Sequence, residues 1–156
     1  MKDSGELQAL LKQRTWDKEA LLWLGSESSL LEVLGSTHYV ILDLLDLFDP
    51  DCLPADDEAT RDALIAGLRQ RLRATPKGPE HRTVLVVKSI GLLARYKTGL
   101  KEFYDWFVGS HTVVALLLEG LPDTSKLPSE VRCDANRLFS YFSEPGMLKN
   151  IYTTKR

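Results

Sequence analysis

His81, Lys88 and Arg95 recur at intervals of seven residues. On a helix that spacing sets all three on one face, as a cationic strip suited to phosphate or to an acidic peptide. Arg82, Lys97 and Lys101 extend the strip, and Arg69, Arg71, Arg73 and Lys77 belong to the segment before it. Phe103, Tyr104, Trp106 and Phe107 crowd one short stretch. Helical spacing gives Phe103, Phe107 and Leu100 a core side and leaves Trp106 at its margin, a candidate anchor for a partner, since aromatic anchors supply much interface energy. Asp43, Asp46, Asp49 and Asp51 gather at the end of a predicted helix, where the dipole disfavours negative charge. Leu53 and Pro54 break the order a calcium loop needs, which leaves a capped turn or an acidic docking patch.

Enzymatic chemistry finds little to work with. His38, His81 and His111 are far apart in sequence, and Cys52 and Cys133 stand singly, so no zinc-ligand spacing exists. The Gly-x-Ser-x-Gly, Walker and dinucleotide-binding fingerprints are absent. The expectation is a noncatalytic protein without metal or cofactor.

Such side chains need a scaffold to hold them. The 156 residues, 44% apolar, suit a single domain over 1–156. There is no run of 18 apolar residues, and the N-terminus has neither the basic nor the apolar part of a signal peptide. Two cysteines fit a reducing, cytoplasmic setting with buried thiols. The net charge of -2 conceals a division. Residues 1–60 hold 4 Lys and Arg against 13 Asp and Glu, whereas residues 61–156 hold 16 against 9. A chain polarised in this way can turn one face to an anionic partner.

Nearly every segment reads at helical spacing. Helices are predicted over 6–13, 17–24, 29–34, 37–48, 55–73, 80–96, 100–108, 111–121, 130–142 and 146–152. The long one over 55–73 repeats Leu64, Leu68 and Leu72, opens on Asp56, Asp57 and Glu58, and closes on Arg69, Arg71 and Arg73, the order the dipole favours. The segment 80–96, with Val84, Leu85, Val86, Val87, Ile90, Leu92 and Leu93, is apolar on most sides and belongs at the centre. Residues 92–104 are echoed weakly by 138–152, the period of stacked helical hairpins. The fold expected is all-α, a right-handed superhelical stack of about eight to ten short helices.

The run Val86-Val87-Lys88-Ser89-Ile90-Gly91-Leu92-Leu93-Ala94-Arg95-Tyr96-Lys97-Thr98-Gly99 resembles the lysine-led apolar helix of the ENTH/ANTH/VHS superfamily, the armadillo/HEAT-like N-terminal domains of epsin-type adaptors. Flanking segments agree in order over 60–156. The resemblance implies a noncatalytic vesicle-trafficking or coat-adaptor module, acting in endocytosis and binding a partner protein or peptide. Lys88, Arg95, Arg137 and Tyr141 are then the contacts, beside Trp106. It also implies a phosphoinositide head group on Lys12, Arg14, Arg82 and Lys97, with peripheral contact to an anionic endosomal, Golgi or plasma membrane. Lys2 and Lys12 keep the nine-residue gap of the ANTH lipid motif, with Gln13 in the place of its His or Tyr. The alternatives are an armadillo/HEAT-type scaffold without a trafficking role and, behind it, an RNA-binding helical domain.

Overall fold

A computed structural model describes residues 2–16, 18–118, 135–143 and 146–154. In chain order its elements are β1 (Lys2–Asp3), α1 (Ser4–Leu11), β2 (Ala20–Leu24), α2 (Glu27–Leu34) and β3 (Tyr39–Asp43), then a 3-10 turn (Leu44–Leu47) and α3 (Asp57–Ala74). A second 3-10 turn (Pro79–His81) leads to β4 (Thr83–Lys88), α4 (Gly91–Arg95), α5 (Lys101–Trp106), β5 (Thr112–Leu118), α6 (Ala135–Ser143) and β6 (Leu148–Thr153). The strands form one parallel sheet in the order β1-β6-β2-β5-β4-β3.

This α/β architecture corrects the all-α expectation and, with it, the ENTH/ANTH/VHS and armadillo-like resemblance. The run that carried the resemblance is not one helix. Val84–Val87 lies in β4, fully buried between β3 and β5, and the chain turns at Ser89 before α4 begins. Four apolar residues in a row, three of them valine, suit a strand covered on both faces as well as a buried helix, and periodicity alone does not separate the two. The same ambiguity turned β2, β3, β5 and β6 into predicted helices. The echo between 92–104 and 138–152 also dissolves, since the first leads from α4 into α5 and the second from α6 into β6.

Parallel strands bury both faces under helices. Helices α3, α4, α5 and α6 cover one side, where Leu64, Leu68, Leu72, Leu93, Phe103 and Phe142 meet Leu22, Leu85, Val87, Val114 and Leu116. Helices α1 and α2 cover the other, where Leu7, Leu11, Leu30 and Leu34 meet Leu21, Trp23, Val84, Val86, Val113 and Ala115. Local capping fixes where helices begin. Asp3 and Glu6 form a reciprocal capping box on α1, Ser26 caps α2, and the Asp56 carboxylate accepts from the Ala59 N–H at 2.7 Å on α3. Among the described residues no helix is long and apolar enough to cross a membrane. Cys52 is exposed, contrary to the expected buried thiol, and Cys133 lies outside the described residues.

Candidate functional site

In an open parallel sheet, ligands bind beyond the carboxyl ends of the strands where the connections reverse direction. Here β2 crosses to β3 on one side and β5 crosses to β6 on the other, so the reversal falls between β2 and β5. Strand β2 leaves this point through Gly25, whose N–H donates to the Leu118 carbonyl at 3.1 Å. Gly25 has φ 154°, and a Cβ there would come within 3.0 Å of the Trp23 indole nitrogen and 3.1 Å of Ser29 Oγ. The tight exit therefore needs glycine. Helix α2 starts at once, with Ser26 Oγ accepting from the Ser29 N–H and Ser29 Oγ accepting from Trp23 Nε1.

A helix N-terminus after a central strand is where a phosphate-binding loop would sit. Such a loop carries Gly-Lys five and six residues after its first glycine. Counted from Gly25, those positions are Leu30 and Leu31, and Leu30 is fully buried. In place of an open anion site the first turn of α2 carries Glu27, and its carboxylate meets Lys88 Nζ from the end of β4 at 3.5 Å. The crevice neutralises itself.

Beside that pair, Ser89 takes a left-handed backbone, φ 61°, and its hydroxyl donates to Asp43 Oδ1 at 2.7 Å. Asp43 Oδ1 also accepts from the Leu45 N–H and so starts the 3-10 turn. A serine on a sharp strand-to-helix turn invites comparison with a nucleophile, but no histidine stands beside it. All three histidines stand at the opposite edge: His38 precedes β3, His81 precedes β4 and His111 precedes β5. A strand of five or six residues separates the two edges by about 16–20 Å. His38 Nδ1 instead shares a 3.0 Å hydrogen bond with Thr83 Oγ1. No group of three or more His, Cys, Asp or Glu among the described residues could hold a metal ion.

The structure scatters the residues that the sequence grouped. Lys88 sits at the carboxyl edge in its ion pair, while Arg95 ends α4 with its guanidinium 5.4 Å from the Tyr96 ring. Tyr141, on α6, donates to the Ala94 carbonyl at 3.4 Å and meets Phe142 edge to face. Arg137 belongs to the same helix, its side chain outside the described part. Trp106 is half-buried beneath Arg73, 4.0 Å from guanidinium to ring, and its Nε1 donates to Glu102. Glu102 is itself buried and receives both Arg69 Nε, at 2.8 Å, and Arg69 Nη2, at 3.3 Å. That carboxylate holds the Arg69 guanidinium even further above its ordinary range. The basic end of α3 is thus engaged by α5. Lys77 caps the same helix by donating to the Leu72 and Thr75 carbonyls, and burial lowers its pKa.

Of the residues assigned to a head group, Arg82 stands at the amino end of β4, stacks 4.3 Å from the Trp16 ring and donates to the Leu11 and Gln13 carbonyls. It binds the end of α1 to the sheet. Lys12 and Arg14 are exposed on that same turn, whereas Lys97 lies beyond α4, past the other end of β4. Lys97 lines a 470 Å³ cavity with Lys101, Tyr141 and Met147. The four cations do not share a site.

Sequence reasoning missed the surface that the fold leaves most open. Among the described residues the large exposed apolar side chains are Tyr39, Ile41, Leu45 and Leu53, all between positions 39 and 53. Tyr39 and Ile41 belong to β3, which has a strand partner on one side alone. Leu45 and Leu53 line a 370 Å³ groove with Phe48, Pro50, Leu92 and Tyr96, just past the end of that strand. The aromatic and β-branched Tyr39-Val40-Ile41 was the available signal.

No family model and no curated protein matches this sequence. Among solved structures, a chain of Drosophila ORC bound to DNA is similar over 97% of this chain and 87% of that chain, at 14% identity and a TM-score of 0.39. A likeness that loose carries no argument about fold or partner.

Proposed function

We propose that this chain is a noncatalytic protein-binding module whose docking surface is the open β3 edge with its adjoining apolar groove. The observation that carries the reading is that, among the described residues, the large exposed apolar side chains, Tyr39, Ile41, Leu45 and Leu53, all lie in and just after β3. Exposed apolar side chains clustered at one margin mark interaction sites. The Glu27–Lys88 pair supports the noncatalytic part, because it puts a negative charge and its counterion where an anionic substrate would have to enter. The trafficking and phosphoinositide expectations rested on a helical superhelix and lose that support.

Two measurements test this together. A fluorescent ATP analogue with Mg²⁺, titrated to millimolar protein, is expected to show no saturable binding. A photo-crosslinking residue at Tyr39 or Leu53 is expected to give a discrete adduct in cell extract. Unlabelled protein should compete for that adduct and its Ile41→Lys variant should not. Saturable nucleotide binding, or equal adducts from the exposed Gln70 on α3, would overturn the proposal.

A further inference from the structure

We infer that the β3 edge accepts an added β-strand, and that the incoming strand is an extended segment of another protein with alternating apolar and basic residues; this rests on the reading above and gives its partner a chemistry.

Three observations combine. The first is the backbone. Val84 N–H donates to the His38 carbonyl at 3.0 Å, and β3 and β4 run in uninterrupted register from Tyr39↔Val84 to Asp43↔Lys88. With a period of two, residues 38, 40 and 42 turn their peptide groups toward β4. Tyr39 and Ile41 therefore direct theirs away from the sheet, along the open margin, whereas Asp43 beyond them caps the 3-10 turn. The second is the lack of edge protection. Native edges are blunted by lysine, proline, a bulge or a covering element. Tyr39-Val40-Ile41-Leu42-Asp43 has no lysine, proline or bulge, and Tyr39 and Ile41 remain exposed. An unguarded apolar edge is a template for strand addition, with main-chain bonds giving affinity and alternate side chains giving selectivity.

The third is charge. From Lys18 to Arg61 the chain carries ten Asp and Glu and no Lys or Arg between them. Asp43 ends β3, and Asp46, Asp49 and Asp51, in and just after the 3-10 turn, alternate in sequence with the groove-lining Leu45, Phe48, Pro50 and Leu53. A second copy of this chain would set that cation-free stretch against itself, whereas a basic segment meets complementary charge. The groove of Leu45, Phe48, Leu53 and Leu92 takes an apolar side chain from the end of the added strand.

The test uses the whole protein and labelled heptapeptides in fluorescence anisotropy. A peptide alternating lysine and valine is expected to bind, more weakly as salt rises. Replacing its lysines by glutamate should weaken binding at least tenfold, and methylating the backbone nitrogens along one edge should abolish it without altering the protein. Ile41→Pro removes an outward N–H that β4 does not use and should cost at least tenfold. Equal binding of the N-methylated peptide would overturn strand addition, and equal binding of the glutamate peptide would overturn the basic partner. No binding of any peptide at millimolar concentration would overturn the whole inference. A wild-type dimer in light scattering that Ile41→Lys dissolves would assign the edge to a second copy. None of these results touches the nucleotide and crosslinking tests above.

Discussion

At the scale of single residues, the ionisable groups that look most available are mostly occupied by their own fold. Glu102 is the clearest case: buried, it gathers Arg69 and Trp106 and joins α3 to α5. Glu102→Ala removes the acceptor of Arg69 and of the Trp106 indole N–H and leaves that indole without this partner. It should lower the melting temperature clearly, while Asp105→Ala, from an exposed pair with Lys101, should leave it nearly unchanged in the same calorimetric scan. Tyr152 gives a pH prediction. Burial first, then the carboxylates of Glu19 and Glu6, push its phenol up to about 12 from an ordinary 10. Below pH 10 both folded and unfolded chains keep the proton. Between 10 and 12 the unfolded chain releases it and the folded one does not, so stability falls across that window. Tyr152→Phe should flatten the loss of melting temperature between pH 9.5 and 11.5, and an unchanged slope would show that other groups govern it.

At the scale of elements, the helices were legible where caps and charges announced them. Helix α3 came within two residues of its predicted limits because Asp56 opens it, leucines recur every fourth residue and arginines close it. Helix α2 stops at Gly35 as expected, but it starts at Glu27, after the Ser26 cap, two residues before the predicted start at 29. Strands carried no such marks. Thr112–Leu118 is buried at every position, so no alternation between core and solvent was written into it. Candidate site residues suffered the same way: His81, Lys88 and Arg95 fall on a turn, a strand end and a helix end, where a spacing of seven means nothing. Burial at both faces also makes β5 the costliest strand to damage. Leu116→Ala should lose roughly 2–5 kcal/mol, a drop of about 5–15 °C in melting temperature, whereas Leu53→Ala should move it by less than about 2 °C.

For the molecule as a whole, the unequal covering of the sheet decides where it stays open. Among the described residues four helices cover one face and two cover the other, and the two leave Tyr39 and Ile41 exposed at the β3 margin. At the far margin, α1 and the short β1 are held by pairing of Lys2 and Asp3 with Tyr152 and Thr153 and by the reach of Arg82 to the end of α1. Deleting residues 2–14 takes Leu7 and Leu11 out of the second core. The shortened chain should bind the dye ANS and melt earlier; an unchanged dye signal would make α1 dispensable.

Strand order has a consequence for biogenesis. Strand β2, complete at residue 24, lies between β5 and β6, which end at residues 118 and 153. During synthesis Ala20–Leu24 has left the ribosome long before either neighbour exists, and pairings so distant in sequence form slowly. A greasy pentapeptide therefore stays without its native mates until β5 and β6 have been made, and holding chaperones are expected to retain nascent chains cut short before residue 118 longer than chains that extend past residue 153.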